Sequence, residues 1–126
     1  MQLNFDSGKP LFISVAEWLE SAILADIYVE ESQVPSITEI SLQYNINPAT
    51  ALKGINILVD TGLLYKKRGL GMFVAKGAHA KLLERRQQQF FNDYILPLVS
   101  EAVRLKISAA DLQSMIERGY NDDDRA

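Results

Sequence analysis

Apolar residues recur every three to four positions from Leu11 onward, and Leu11, Phe12, Val15, Ala16, Leu19, Ile23 and Leu24 mark one stripe of a first helix. Pro10 suits its first turn, where a missing N–H costs nothing. Glu17, Glu20 and Asp26 fall on other faces, which makes the helix structural. Residues 27–35 carry no helical period and end in Pro35, as a connecting segment does. Ser36-Ile37-Thr38-Glu39 then fits a capping box and predicts a short second helix over about 37–44. Ile37, Ile40, Ser41 and Tyr44 are spaced to face a core, with Ser41 small enough for another helix to approach.

Asn45 tolerates a left-handed backbone and can end that helix sharply. Asn47 as N-cap and Pro48 as first helical residue open a third helix, residues 48–61. Its predicted buried stripe is Ala51, Leu52, Ile55, Leu58 and Val59, with Ala49, Thr50, Lys53, Asn56 and Asp60 outward and Gly62 as the stop. Two helices joined by so short a turn must cross steeply, the helix-turn-helix arrangement. Residues 63–67 and 72–75 read as short strands around Arg68-Gly69-Leu70-Gly71, a hairpin that forms a wing.

From Ala78 the pattern becomes a long amphipathic helix with Leu83, Phe90, Phe91, Tyr94, Ile95, Leu98, Val99, Ala102 and Val103 on a wide apolar face. Pro97 removes a backbone hydrogen bond there and predicts a kink. Residues 106–108 break the period, Ser108 caps a final helix ending near Gly119, and residues 122–126 form a frayed tail. The expected fold is mainly α with a small β-hairpin: a winged helix-turn-helix over residues 1–76, followed by a two-helix dimerisation appendage over 77–126.

Composition narrows the function. The 126 residues are 48% hydrophobic, enough for a core, and the net charge of -3 does not by itself announce a nucleic-acid partner. Distribution says more. Residues 1–60 hold only Lys9 and Lys53 as bases, whereas residues 61–83 hold Lys66, Lys67, Arg68, Lys76 and Lys81 and no acid, a stretch that would draw a polyanion. There is no cysteine, no basic flank followed by an apolar run at the start, and nothing near the roughly 18 apolar residues of a membrane span, so a soluble, cytoplasmic chain is expected. His79 has no second His or Cys with which to share a metal, and no nucleophile or phosphate-cradle pattern occurs. Neither an enzyme nor a cofactor or metal is expected.

Reading the major groove takes short polar side chains at the start of an exposed helix, and Asn47, Thr50 and Lys53 meet that need. Asn can pair with adenine, Thr can bond phosphate or base, and Lys can take a phosphate or guanine. Arg68 beside Gly69 and Gly71 suits a cation placed in the minor groove, with Lys66 and Lys67 behind it.

Pro10-Leu11-Phe12, Val34-Pro35-Ser36, Ile46-Asn47-Pro48-Ala49-Thr50 and Gly62-Leu63-Leu64 through Arg68-Gly69-Leu70-Gly71-Met72-Phe73-Val74 resemble the successive landmarks of the GntR family of bacterial regulators. The Ile-Asn-Pro-x-Thr turn, together with Tyr94-Ile95-Leu96-Pro97-Leu98 and Glu101-Ala102-Val103-Arg104-Leu105, is similar to the YtrA subfamily. That resemblance implies a repressor that binds double-stranded DNA, and it carries DNA contact onto Ser36, Thr38, Pro48, Ala49 and Leu70 as well. Thr38 stands where the family usually has Arg, Ala49 where it often has a polar residue, and Leu70 where it has Lys or similar. Fewer cations on DNA predict weaker and less salt-sensitive binding than the family norm.

The apolar excess at Phe90, Phe91, Tyr94, Ile95, Leu98, Val99, Leu112, Met115 and Ile116 points first to a homodimer interface, which would space two third helices for a palindromic operator, with packing on the wing domain of the same chain as the other reading. Two alternatives stand beside it. One is a sensor that binds an unidentified small-molecule effector in a cleft of Tyr94, Phe91 and Met115. The other is a winged-helix protein-interaction module that does not read DNA.

Overall fold

The structure, a computed structural model, describes residues 8–124. Its order is α1 (Leu11–Leu24), α2 (Ile37–Tyr44), α3 (Pro48–Asp60), β1 (Leu64–Lys67), β2 (Gly71–Val74), α4 (Ala78–Phe90), a π-helical turn (Phe91–Ile95), α5 (Leu96–Arg104) and α6 (Ala109–Asp124). The chain divides into two compact units, Met1–Arg85 and Arg86–Ala126.

In the first unit α1 packs along α3, and Val15, Leu19, Ile23, Ile40, Ile55, Leu58, Leu63, Val74 and Leu82 form a fully buried centre. Gly54 belongs to this contact although no apolar pattern marks it. A Cβ there would lie 2.8 Å from both the Phe12 carbonyl oxygen and the Val15 side chain, so only glycine lets the two helices come so close. Trp18 sits edge-on to Tyr44 at 5.3 Å and to Tyr28 at 6.4 Å, which joins α1 to α2 and to the segment after α1. The Tyr28 hydroxyl is raised above its ordinary value, first by burial and then by Tyr44 and Glu39.

The helix ends follow local chemistry. Ser36 and Glu39 complete the capping box: the Glu39 N–H donates to the Ser36 hydroxyl at 3.0 Å and the Ser36 N–H to the Glu39 carboxylate at 3.1 Å. Asn45 is left-handed at φ 53°, and the Ser41 hydroxyl donates to the Ile46 carbonyl at 2.6 Å, so Ser41 ties the turn rather than simply making room. At the end of α3, Gly62 takes φ 78° while the N–H groups of Gly62 and Leu63 reach back to the carbonyls of Val59 and Leu58, a Schellman closure. Lys81 donates to the Thr61 carbonyl at 2.6 Å and adds a cation to that terminus.

Several expectations for the first unit are refined. Leu82, not Leu83, enters the core, and Leu83 is exposed. Leu52 lies outside the buried stripe of α3 at 42% exposure. Glu20, off the apolar stripe as expected, is nonetheless largely covered and pairs with Arg85 of α4. Residues 31–34 are more than a connection, because Gln33 forms an isolated antiparallel bridge with Phe73 and the N–H groups of Glu31 and Val34 donate to the carbonyls of Val74 and Met72, which lays this segment beside β2.

In the second unit the π turn precedes Pro97. The Leu96 N–H donates to the Phe91 carbonyl, so the wider turn absorbs the bond that the proline cannot make. Ser108 caps α6 through the Asp111 N–H at 3.1 Å. That helix runs past Gly119, which does not adopt the positive φ of a terminating glycine. Asp122, Asp123 and Asp124 are accordingly helical rather than frayed, while Arg125 and Ala126 lie outside the described residues.

Candidate nucleic-acid interface

Helix α3 begins where the chain turns at Asn45, Ile46 and Asn47, with Asn47 as N-cap and Pro48 as its first residue. The Asn47 side-chain oxygen accepts from the Ala49 N–H at 2.8 Å. The cap takes one of that oxygen's two lone pairs, which commits the side chain's orientation and leaves the second lone pair and the Asn47 amide nitrogen to meet an adenine. Thr50 is half-buried. Lys53 is exposed, but its ammonium lies 4.1 Å from the centre of the Phe12 ring, a cation–π contact that draws it toward α1. Ser36 and Thr38 are exposed at the start of α2.

The residues that stand out along α3 are Pro48, Ala49, Leu52, Lys53, Asn56 and Asp60. Two of them, Leu52 and Asn56, line a hollow of about 260 Å³ together with Ser36 and Ile37 at the start of α2, Gln33 and Val34 of the segment before it, and Lys66, Gly71 and Met72 of the hairpin. This hollow separates α3 from the wing.

The wing is a two-stranded antiparallel sheet in which Leu64 pairs with Val74 and Lys67 with Gly71. Its turn closes through the Leu70 N–H on the Lys67 carbonyl at 2.9 Å, which puts Arg68, Gly69 and Leu70 at the exposed tip. Lys66 points to the hollow, and Lys67 lies over the Phe73 ring at 4.4 Å. Gln33 donates its side-chain amide to the Leu70 carbonyl at 2.7 Å. A Cβ on Gly71, whose φ is 118°, would come within 2.6 Å of that amide, so the glycine makes the clasp possible. Tyr65 donates to the Glu31 carboxylate at 2.5 Å, and this bond is the first cause of a raised Tyr65 pKa, followed by burial and the Glu31 charge.

Within the second unit, Phe90 and Tyr94 rings lie 5.3 Å apart. Phe90, Phe91 and Tyr94 are more than half exposed, Leu98, Val99, Met115 and Ile116 are each about 40% exposed, and Ile95 and Leu112 are half-buried. The hollow at Met115 is lined by Arg118, Gly119, Asn121 and Asp122 of the same helix; Phe91 and Tyr94 do not line it. His79 contacts the Leu24 carbonyl at 3.0 Å. Among the described residues no group of three or more His, Cys, Asp or Glu could hold a metal, and no helix is long and apolar enough to cross a membrane.

No protein-family profile matches the chain. A GntR-family regulator from Bacteroides thetaiotaomicron superposes with a TM-score of 0.73 at 26% identity, over 90% of this chain and 98% of that one. The chain has the winged-helix fold of the GntR family. The DNA-binding domain of AraR, solved in complex with operator ORR3, is 31% identical and covers 60% of this winged-helix chain and 90% of its own, with a TM-score of 0.53. Among curated relatives, the transcriptional repressor NagR of Bacillus subtilis is 32% identical over 76 residues, 60% of this chain. The chain spans 28% to 64% of the length of the curated relatives it matches. Those relatives are transcriptional regulators rather than enzymes.

The sequence pattern marks no role for Gln33, places Leu52 in the buried stripe and counts Lys81 only within a basic stretch. Gln33 and Lys81 act across 37 and 20 residues of chain, respectively, and no local period reports such contacts. Leu52 was misassigned because an exposed leucine carries the same signal as a buried one.

Proposed function

We propose that the chain is a sequence-specific DNA-binding repressor of the YtrA type that acts as a homodimer on a palindromic operator. The observation that carries the proposal is the exposed flank of α3 standing beside a wing whose tip holds Arg68, Gly69 and Leu70. An α-helix fits the major groove, and a basic hairpin beside it reaches the neighbouring backbone or minor groove. The operator complex of AraR, at 31% identity, supports the same use of this unit. Ser36, Thr38, Asn47, Pro48, Ala49, Thr50 and Lys53 would meet the major groove and its phosphates, and residues 66–71 would hold the adjacent strand. With Lys53 drawn to Phe12 and Lys67 to Phe73, few cations are aimed outward, which favours modest affinity and a shallow salt dependence.

Dimerisation would go through the exposed apolar residues of 90–116, an exposure too extensive for an isolated pair of helices. A gel shift on DNA upstream of the chain's own gene should show retardation by a dimer. Light scattering should find Leu98→Glu monomeric and unable to shift that fragment; a monomeric parent, or an unaltered dimer in the variant, would contradict the assignment.

A further inference from the structure

We infer that Leu52 selects thymine, its side chain taking the C5 methyl group at one position of each operator half-site. The inference rests on the DNA-binding role proposed above and goes on to name what α3 reads. Ala49, Leu52 and Asn56 occur at intervals of three and four, so they form one ridge, and Leu52 and Asn56 also wall the hollow toward the hairpin. That ridge carries no charge. Lys53 is held over Phe12, Thr50 is half-buried, and Asn47 uses its oxygen on the Ala49 N–H. The polar readers expected from the sequence are thus each partly committed, while an aliphatic side chain stands in the middle of the outward face.

In the major groove thymine is the one standard base that presents a methyl group, whereas adenine, guanine and cytosine present polar edges that leucine cannot meet. Leu52 therefore gains from thymine an apolar contact that no other base supplies. Asn56, one turn further along, has an amide able to engage the N6 and N7 of adenine. The ridge from Ala49 to Asn56 covers about 10 Å of helix, close to three stacked base pairs, so the half-site should place its discriminated thymine near an adenine.

The test uses a duplex selected by the immobilised full chain from a random-sequence pool, with each thymine then replaced singly by deoxyuridine. This removes the methyl group and leaves base pairing intact. One replacement per half-site should weaken the parent chain about fourfold, the value of one buried methyl group. Leu52→Ala should bind thymine and uracil duplexes equally while keeping the parent's circular dichroism. Leu52→Gln should favour adenine at that position. Equal binding of the parent to all uracil replacements, or an unchanged thymine preference in Leu52→Ala, would overturn the assignment. Selection of no duplex above non-specific retention would instead overturn the DNA-binding role, and the inference with it.

Discussion

Gln33 and Leu70 lie 37 residues apart in sequence and 2.7 Å apart in space, the amide of one donating to the backbone carbonyl of the other. The bond fastens the tip of the hairpin to the segment that leads into α2. It leaves Arg68 and Gly69 on a turn supported from behind rather than on a free loop.

Gln33→Ala should therefore separate stability from binding. Loss of one exposed hydrogen bond should lower folding stability by no more than about 1 kcal/mol. Affinity for a selected duplex should fall by a factor of about five, because the tip must then be ordered on binding. Urea denaturation and fluorescence anisotropy measure the two effects; equal affinity in the variant would show that the clasp has no part in DNA contact.

Gly54→Ala should destabilise the first unit by about 1–3 kcal/mol, the range for overpacking a filled interface. Alanine's better helix propensity, worth about 1 kcal/mol, works in the opposite direction. Contact at 2.8 Å with both the Phe12 carbonyl and Val15 makes the clash the larger effect. A thermal melt that does not fall would contradict this balance.

Much of the first unit was legible because its decisive signals are local. Ser36 with Glu39, Asn45 at the turn and Asn47 before Pro48 each act within four residues, and each appears as its chemistry requires. The outward face of α3 was less legible: hydrophobicity alone put Leu52 inside, although its neighbours at Gly54 and Ile55 occupy the side toward α1. The second unit gave up its helices but not their limits. Gly119 resembles a terminator only when its φ is ignored, and the response to Pro97 was a π turn, which no side-chain period announces.

Lys106→Gly should stabilise the second unit. Lys106 occupies the left-handed position after α5 at φ 59°, while the N–H groups of Lys106 and Ile107 return to the carbonyls of Val103 and Ala102. Glycine removes a Cβ penalty of about 1–2 kcal/mol and loses somewhat less through the greater freedom of the unfolded chain. A net gain of about 0.5–1 kcal/mol is expected from chemical denaturation at fixed protein concentration.

Alkaline titration should loosen the hairpin's side contact. Tyr65 donates to Glu31 only as the neutral phenol, and its folded pKa lies above the ordinary 10.0. Its contribution is therefore complete below pH 10 and is lost as pH rises through the folded value. Absorbance of tyrosinate should show two late-titrating groups, Tyr28 and Tyr65, one of which is lost in Tyr65→Phe, and thermal melts of that variant should lose part of the alkaline decline. An unchanged late titration would assign it elsewhere.

The close approach at Gly54 also bears on how this unit can respond to different DNA sequences. With a carbonyl and a valine side chain against the α3 backbone, there are no long, compressible side chains at that contact to let the helix tilt. A duplex docked on α3 would have to supply the adjustment itself, through its groove width and bend. Sites would then be ranked partly by how easily they deform, at base pairs the protein never touches.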